Sequence, residues 1–272
     1  MRIVTTTSVF PRGYPADDAI NRLARLGFEG VDMAFDYWVY GEDSPFLQND
    51  YADWAKNLRK LSEKLGVPYT HSHAPGKAGE FDIIDRTLHA ASILGARYVV
   101  VHPVCELDNR YIEDPEEFIQ VNREAIIPSL RSAKKYGIVI LSENLLDGAS
   151  TDPRVIAELV KSVDSEWFGW CYDTGHANCF EYKQTILNEC PVVPLSLHIQ
   201  DNNVDSDDHL IPGDGNIDWD EFARSIKSVD YKGDCVLEAH HQCKDAPDDE
   251  RDGILTRLLI RAKSLCKKIE EN

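Results

Sequence analysis

Short apolar runs and helix-like runs alternate eight times along this chain, and that repeat restricts the fold more than any other feature of the sequence. The strand-like runs lie at about 2–7, 28–33, 67–72, 97–102, 138–143, 167–172, 192–198 and 234–239. They are short and rich in Val, Ile, Tyr and Trp, as strands covered on both faces are. Helices are expected near 15–26, 51–65, 80–95, 114–136, 152–163, 180–189, 218–228 and 248–270. Gly27, Gly66, Gly95, Gly137 and Gly233 mark helix-to-strand junctions, where a residue that enters the left-handed region cheaply is useful. Right-handed crossovers between parallel strands leave two options, an open doubly wound sheet or a closed eightfold barrel. Eight units in 272 residues favour an α/β (β/α)8 TIM barrel, one domain over residues 1–272.

From the third strand onward every run ends in an acid or an imidazole: His71 and His73, His102, Glu143, Asp173, His198, and Glu238. A polar side chain at the end of a buried strand needs a partner. In a barrel all such ends surround one mouth, whereas an open sheet focuses its site at a single crevice. Glu143 and Glu238 fall three strands apart, so they can face each other across that mouth. In Cys171-Tyr172-Asp173-Thr174-Gly175-His176, Asp173 reads as a helix cap or as a metal ligand with His176 on the same side. His71 and His73 are two apart and face one way on a strand, and His102 is held extended by Pro103. These three read as polar barrel lining, as donors to substrate oxygens, or as further metal ligands.

The stretch Asp207-Asp208-His209-Leu210-Ile211-Pro212-Gly213-Asp214-Gly215 lacks the Lys-Ser/Thr of a phosphate loop. Its glycines suit a turn that carries Asp207 and His209 over the mouth. Phe35, Tyr37, Trp38 and Tyr40 suit an apolar wall over a substrate or a contact between copies of the chain in a homo-oligomer. Of His240 and His241, one is expected at the rim.

Charge narrows the partners. Lys and Arg number 29 against 47 Asp and Glu, a net −18, which repels phosphate backbones and anionic lipid. Nucleic acid and membrane partners are not expected, and no apolar run approaches the roughly 20 residues of a bilayer span. Seven cysteines with no CxxC pair fit a reducing compartment, and a cytoplasmic location is expected. The N-terminus reads as a strand at once, without the apolar core of a secretory signal.

Taken in order, His71-Ser72-His73-Ala74-Pro75, Val101-His102-Pro103, Ser142-Glu143-Asn144, Asp173-Thr174-Gly175-His176, Leu197-His198-Ile199-Gln200-Asp201, Asp207-Asp208-His209 with Pro212-Gly213-Asp214-Gly215, and Leu237-Glu238 resemble the xylose isomerase-like TIM barrels. That superfamily holds sugar isomerases and epimerases and the metal-dependent apurinic-site endonucleases. The resemblance runs nearly end to end. It implies one divalent metal (Mn, Mg, Co or Zn) bound by Glu143, Asp173, His198 and Glu238, with His176 as a donor to substrate oxygen. In the endonuclease branch the positions of His73, His102, Asp207 and His209 bind additional zinc ions.

The implied activity is isomerisation or epimerisation of a small ketose, sugar phosphate or inosose by enediolate proton transfer. Glu143 and Glu238 would be the proton-transfer groups, and His176, His102, His73 and His71 would contact substrate. The alternatives are a zinc-dependent phosphodiesterase acting on abasic DNA, an inosose-type dehydratase, and a barrel that binds without catalysis. None of the expected mouth loops is rich in Lys or Arg, which favours a sugar or polyol over DNA.

Overall fold

A computed structural model describes residues 1–38 and 44–271. Its main sheet has eight parallel strands: β1 (Ile3–Thr6), β2 (Gly30–Ala34), β3 (Tyr69–Lys77), β4 (Tyr98–His102), β5 (Val139–Glu143), β6 (Phe168–Asp173), β7 (Ser196–His198) and β8 (Cys235–Leu237). Neighbours in sequence are neighbours in the sheet, and β8 pairs with β1. The ring closes between β7 and β8, where the Ile199 N–H donates to Val236 O (2.8 Å) and the Glu238 N–H donates to Ile199 O (3.0 Å). This is the (β/α)8 barrel expected from the repeat.

Alternation along each strand sorts the apolar residues into two compartments. Val100, Val139, Leu141 and Cys171, with Tyr98 against them, fill part of the barrel interior. The alternate positions, among them Val99, Val101, Ile140, Trp170, Tyr172, Leu197 and Leu237, pack outward against the helices in one larger core. Trp170 is fully buried there, and its indole N–H donates to Val192 O (3.1 Å), so its one polar atom is satisfied.

Four of the junction glycines, Gly27, Gly66, Gly95 and Gly137, end their helices at φ between 71° and 95°, as the chain needs. Gly233 has a different reason. A side chain there would lie 2.2 Å from the Tyr231 hydroxyl and 2.8 Å from Leu195 O, so close packing and not a left-handed turn requires glycine.

Two expected helices differ. The segment 114–136 is split into two helices, Pro115–Ile126 and Leu130–Tyr136, by a 3-10 turn at Ile127–Ser129, because Pro128 supplies no N–H to the helix. The segment 180–189 is a 3-10 stretch, Gln184–Glu189, and the helical turn begins earlier at Thr174–Cys179. Phe35 is not part of a mouth wall: it is fully buried, with its ring 4.6 Å from Phe46. The side chains of Tyr37 and Trp38, and Tyr40 entirely, lie outside the described residues. Among the described residues no helix is long and apolar enough to cross a membrane.

Candidate active site

Strand register sets the floor of the site. Glu143 lies level with Cys171, and Asp173 level with His198, on adjacent parallel strands. Their side chains therefore all point into the barrel near the carboxyl ends, with Asp173 two residues beyond the level of Glu143 and Cys171. His198 Nδ1 lies 2.6 Å from Glu143 Oε1 and 3.3 Å from Glu238 Oε2, between the two carboxyls. One donor atom each from Glu143, Asp173, His198 and Glu238 lies within 4.8 Å of the others. Asp173 Oδ1 accepts from the His176 N–H (2.6 Å) and from Gln200 Nε2 (3.2 Å). Asp173 Oδ2 is buried without a hydrogen-bond partner. An orphaned buried carboxylate oxygen costs on the order of 1–3 kcal/mol or more, which a cation in this group would offset. Three carboxylates and one imidazole are a donor set that fits a divalent ion.

Two further groups flank this one. His73, His102 and Glu143 form the first, and His176, Asp207 and His209 the second. The Nε2 atoms of His73 and His102 each lie 3.6 Å from Glu143 Oε2. Those of His176 and His209 lie 3.4 and 2.9 Å from Asp207 Oδ2. Backbone carbonyls aim three of these rings: Nδ1 of His73, His176 and His209 bonds Ala74 O (3.1 Å), Asn144 O (2.8 Å) and Glu238 O (2.9 Å). A carbonyl can only accept, so Nδ1 carries the proton, and in the neutral ring the Nε2 lone pair faces the centre.

The chain places more negative charge here than its imidazoles balance. Burial disfavours the ionised form of Glu238, and Glu143 and Asp173 push the same way, so its pKa is well above the usual carboxylate range. Asp173 is raised by burial as well, against His176. Burial also opposes Glu143, but His198, His102 and His73 outweigh it and hold Glu143 well below that range. Burial disfavours charge on the imidazoles too. Even so, Glu143, Asp36 and Asp32 raise His73 to about 9, and Asp173, Asp207 and Glu143 raise His176 to about 10.

Several supports carried no role in the sequence reading. Asn144 accepts the Asp173 N–H (2.8 Å) and donates to Asp173 O (3.0 Å), tying β5 to β6 at the site. Gln200 bridges Asp173 and Asp207, its Nε2 lying 2.6 Å from Asp207 Oδ1. The fully buried Asp201 carboxylate accepts from the N–H groups of Asn202, Gly213 and Ile217 and from the Trp219 indole. The Pro-Gly-Asp-Gly loop thus folds around a carboxylate and presents Asp207 and His209, as the turn reading expected. Only the pairing of these residues across as many as 29 positions of chain shows their role.

Gly175 is needed for this network because a side chain there would lie 2.1 Å from the Gln200 amide. Gly175→Ala is expected to displace Gln200 and lower divalent-cation affinity about 10–100-fold, the cost of losing an outer partner. Calorimetry with Mn²⁺ and Zn²⁺ on the purified variant checks this; unchanged affinity removes Gln200 from the support.

The centre opens into a cavity of about 340 Å³ whose lining includes Glu143, Glu238, His73, His102, His176, Asp207 and His209. His71 does not reach it. That ring is buried one layer lower, 2.9 Å from the Thr70 hydroxyl, 4.0 Å from Asp234 and stacked on Tyr98. His71 and His73 share a face, but two residues of strand separate them along the barrel axis, by roughly 6–7 Å. Ser8, Asp36, Asp147 and His240 line the cavity without having been singled out as site residues, apart from the expectation that His240 or His241 reaches the rim.

Comparison with known proteins follows the same lines. The model of a family described as the xylose isomerase-like TIM barrel matches residues 20–258. The chain belongs to that family. An uncharacterized protein of Methanocaldococcus jannaschii is 30% identical over 166 residues, 58% of this chain and 55% of that one. An uncharacterized protein of Mycobacterium tuberculosis is 25% identical over 283 aligned positions, with 96% of each chain covered. The chain spans about half the length of the M. jannaschii relative and of one from Sinorhizobium fredii, 55% and 50%. Among solved structures, a D-tagatose 3-epimerase-like protein superposes with a TM-score of 0.76 at 20% identity, covering 100% of this chain and 99% of that one. An IOLI protein with a bound zinc atom gives 0.76 at 14%, covering 99% and 98%. A D-psicose 3-epimerase with D-tagatose, from Clostridium cellulolyticum H10, gives 0.76 at 15%, covering 97% and 99%. At these identities the likeness is one of fold.

Proposed function

We propose that this chain is a divalent-metal-dependent isomerase or epimerase that moves a proton on a small ketose or related polyol. The observation that carries the reading is the placement of Glu143 and Glu238 on either side of His198, at the floor of the cavity, in one donor group with Asp173. These four residues would hold a divalent ion, which when bound would stabilise negative charge building on a substrate oxygen. The two carboxyls lie on either side of His198, and each can serve partly as ligand and partly as base. One of Glu143 and Glu238 would remove the proton alpha to the substrate carbonyl. The other, carrying a proton taken from solvent, would return it. Return to the same carbon from the opposite face gives the epimer, and return to the neighbouring carbon, with the hydroxyl proton there passing to the former carbonyl oxygen, gives the isomer. His176 and His102 orient substrate hydroxyls, and Leu145 and Leu146 on the cavity wall limit water. The fold shared with proteins named as 3-epimerases supports this class.

A second reading has its own observation. The two flanking groups, His73–His102–Glu143 and His176–Asp207–His209, suit additional zinc ions and hence a zinc phosphodiesterase. The test separates the two. Metal-loaded protein is incubated in deuterium oxide with a panel of free and phosphorylated ketoses, and in parallel with an abasic oligonucleotide. Deuterium at the carbon alpha to the carbonyl, with intact DNA, is the expected result. Strand cleavage without exchange into any ketose overturns the isomerase reading. A product lacking water moves it to a dehydratase on an inosose-type substrate.

A further inference from the structure

Beneath the cation centre, the barrel interior holds a carboxyl that no step of the proposed reaction uses. Asp32 on β2 lies level with Thr6 on β1 and with His71 on β3, and His71 lies level with Tyr98 of the interior cluster, so this row faces inward. Asp32 is 1% exposed, and neither of its carboxyl oxygens has a hydrogen-bond partner. The hydroxyl of Thr6 in the same row donates to Ser8 Oγ instead (3.2 Å). His71 leaves a further unpartnered atom at this level, Nε2. Burial disfavours charge on Asp32, and the imidazoles of His198 and His73 are the groups that oppose this most.

His198 creates the need for an acceptor there. The polar contacts of its ring all run through Nδ1, to Glu143 Oε1 (2.6 Å) and Glu238 Oε2 (3.3 Å), so Nδ1 is the atom offered to the four-residue donor group. The ring reaches across the barrel to stack on His73, centroids 5.9 Å apart, and His73 lies level with Ala34, two residues beyond Asp32. A neutral imidazole that gives Nδ1 to a cation carries its proton on Nε2. His198 is fully buried, so that N–H must find its acceptor inside the barrel, and an unpaired buried donor is costly.

We propose that Asp32 is a positioning residue for the cation centre: through one buried water shared with His71, it accepts the Nε2–H of His198 and so keeps Nδ1 bare for the ion. This role rests on the four-residue cation centre of the proposed function and deepens it. Asp32 and His198 share no direct hydrogen bond, and the water spans that gap. It accepts from His198 Nε2 and donates to Asp32 and to His71 Nε2, about three partners, as is usual for a buried water. The proton of His71 then sits on Nδ1, 2.9 Å from the Thr70 hydroxyl. A carboxyl accepts through its carbonyl oxygen whether or not it is protonated, so the role does not depend on the charge of Asp32.

Asp32→Leu removes the acceptor at similar volume, and Asp32→Asn keeps a carbonyl in its place. Calorimetry with Zn²⁺ is expected to show affinity about 10–100-fold weaker in Asp32→Leu and within about threefold of the parent in Asp32→Asn. The cation-free Asp32→Leu protein should melt no lower than the parent, because an apolar group of like shape replaces an unpaired buried polar one. Ser196→Ala removes another unpartnered interior hydroxyl and should leave the affinity unchanged. Long-range proton–nitrogen spectra of the parent with labelled histidine should place the His198 proton on Nε2 in the Zn²⁺-loaded protein. The ring is assigned in the cation-free protein from His198→Gln and followed through the titration. Unchanged affinity in Asp32→Leu, a lower melting temperature without rescue in Asp32→Asn, an equal loss in Ser196→Ala, or a loaded His198 protonated on Nδ1 overturns the role of Asp32 and leaves the centre in place. Should Asp32→Leu fail to fold, the proton position in the parent and its retention in Asp32→Asn decide. A parent that binds no divalent cation overturns the centre, and the role of Asp32 with it.

Discussion

Glu143→Gln is expected to lower turnover by about 10³-fold or more, the scale of losing a general base. Among the described residues no other side chain is faced by so many of the site's imidazoles: His73, His102, His176 and His198 all lie within 3.9 Å of its carboxylate. It also belongs to both the central group and one flanking group. The substitution therefore removes a base, a ligand and the charge that holds the rings together. Cation affinity should fall by at least about 100-fold, beyond the ~10–100-fold of removing an outer partner. The fold should survive, because glutamine keeps the shape of the side chain and the strand register does not depend on the carboxylate. Circular dichroism and thermal melting check the fold, and calorimetry with Mn²⁺ and Zn²⁺ checks the affinity. Full activity in this variant would remove Glu143 from the chemistry. Glu238→Gln is expected to abolish turnover in the same way with a smaller loss of affinity, since it belongs only to the central group.

Divalent-cation binding should release protons and strengthen as pH rises. In the cation-free protein His73 titrates at about 9 and His176 at about 10, raised from 6.5 against the pull of burial by the carboxylates around them. Glu238 and Asp173 are also raised, by burial first and then by neighbouring acids, with His176 opposing the shift at Asp173. Each proton held at neutral pH must leave before its atom can bind a cation. Calorimetry at pH 7 in two buffers of different ionisation enthalpy is expected to count at least about one proton released per cation.

The stability of the cation-free protein should run the other way. Imidazoles raised in the folded state contribute stability that is complete below about 6.5 and is lost as pH climbs through about 9 and 10. The rise in melting temperature on adding cation should therefore be larger at pH 9 than at pH 6. An equal rise at both, with no proton release, would show that these groups are not the ligands.

Much of this was legible in the chain. The alternation of buried runs gave the barrel, because a strand covered on both faces leaves a distinctive apolar block. The acids and imidazoles at strand ends marked the cluster of donors at the mouth, because each is a costly thing to bury alone. The break at Pro128 was equally open to reading, since proline offers no N–H, but the apolar pattern on both sides of it concealed the interruption. His71 shows the limit of periodicity: alternation fixes which face a side chain takes, and depth along the barrel axis decides what it touches. Its neighbours are Thr70, Asp234 and Tyr98, and not the cavity.

By itself the sequence determined the order of elements, the layer of residues that turn inward, and the donor atoms available at the mouth, because backbone periodicity and burial are local properties. Only the tertiary structure decided which donors share a centre and what holds them there. Asn144 against Asp173, Gln200 between Asp173 and Asp207, and Asp201 inside its loop are contacts between segments brought together by closure of the barrel. Such contacts leave no mark on any one stretch of chain, since each residue is an ordinary polar side chain until the ring of strands places it beside its partner.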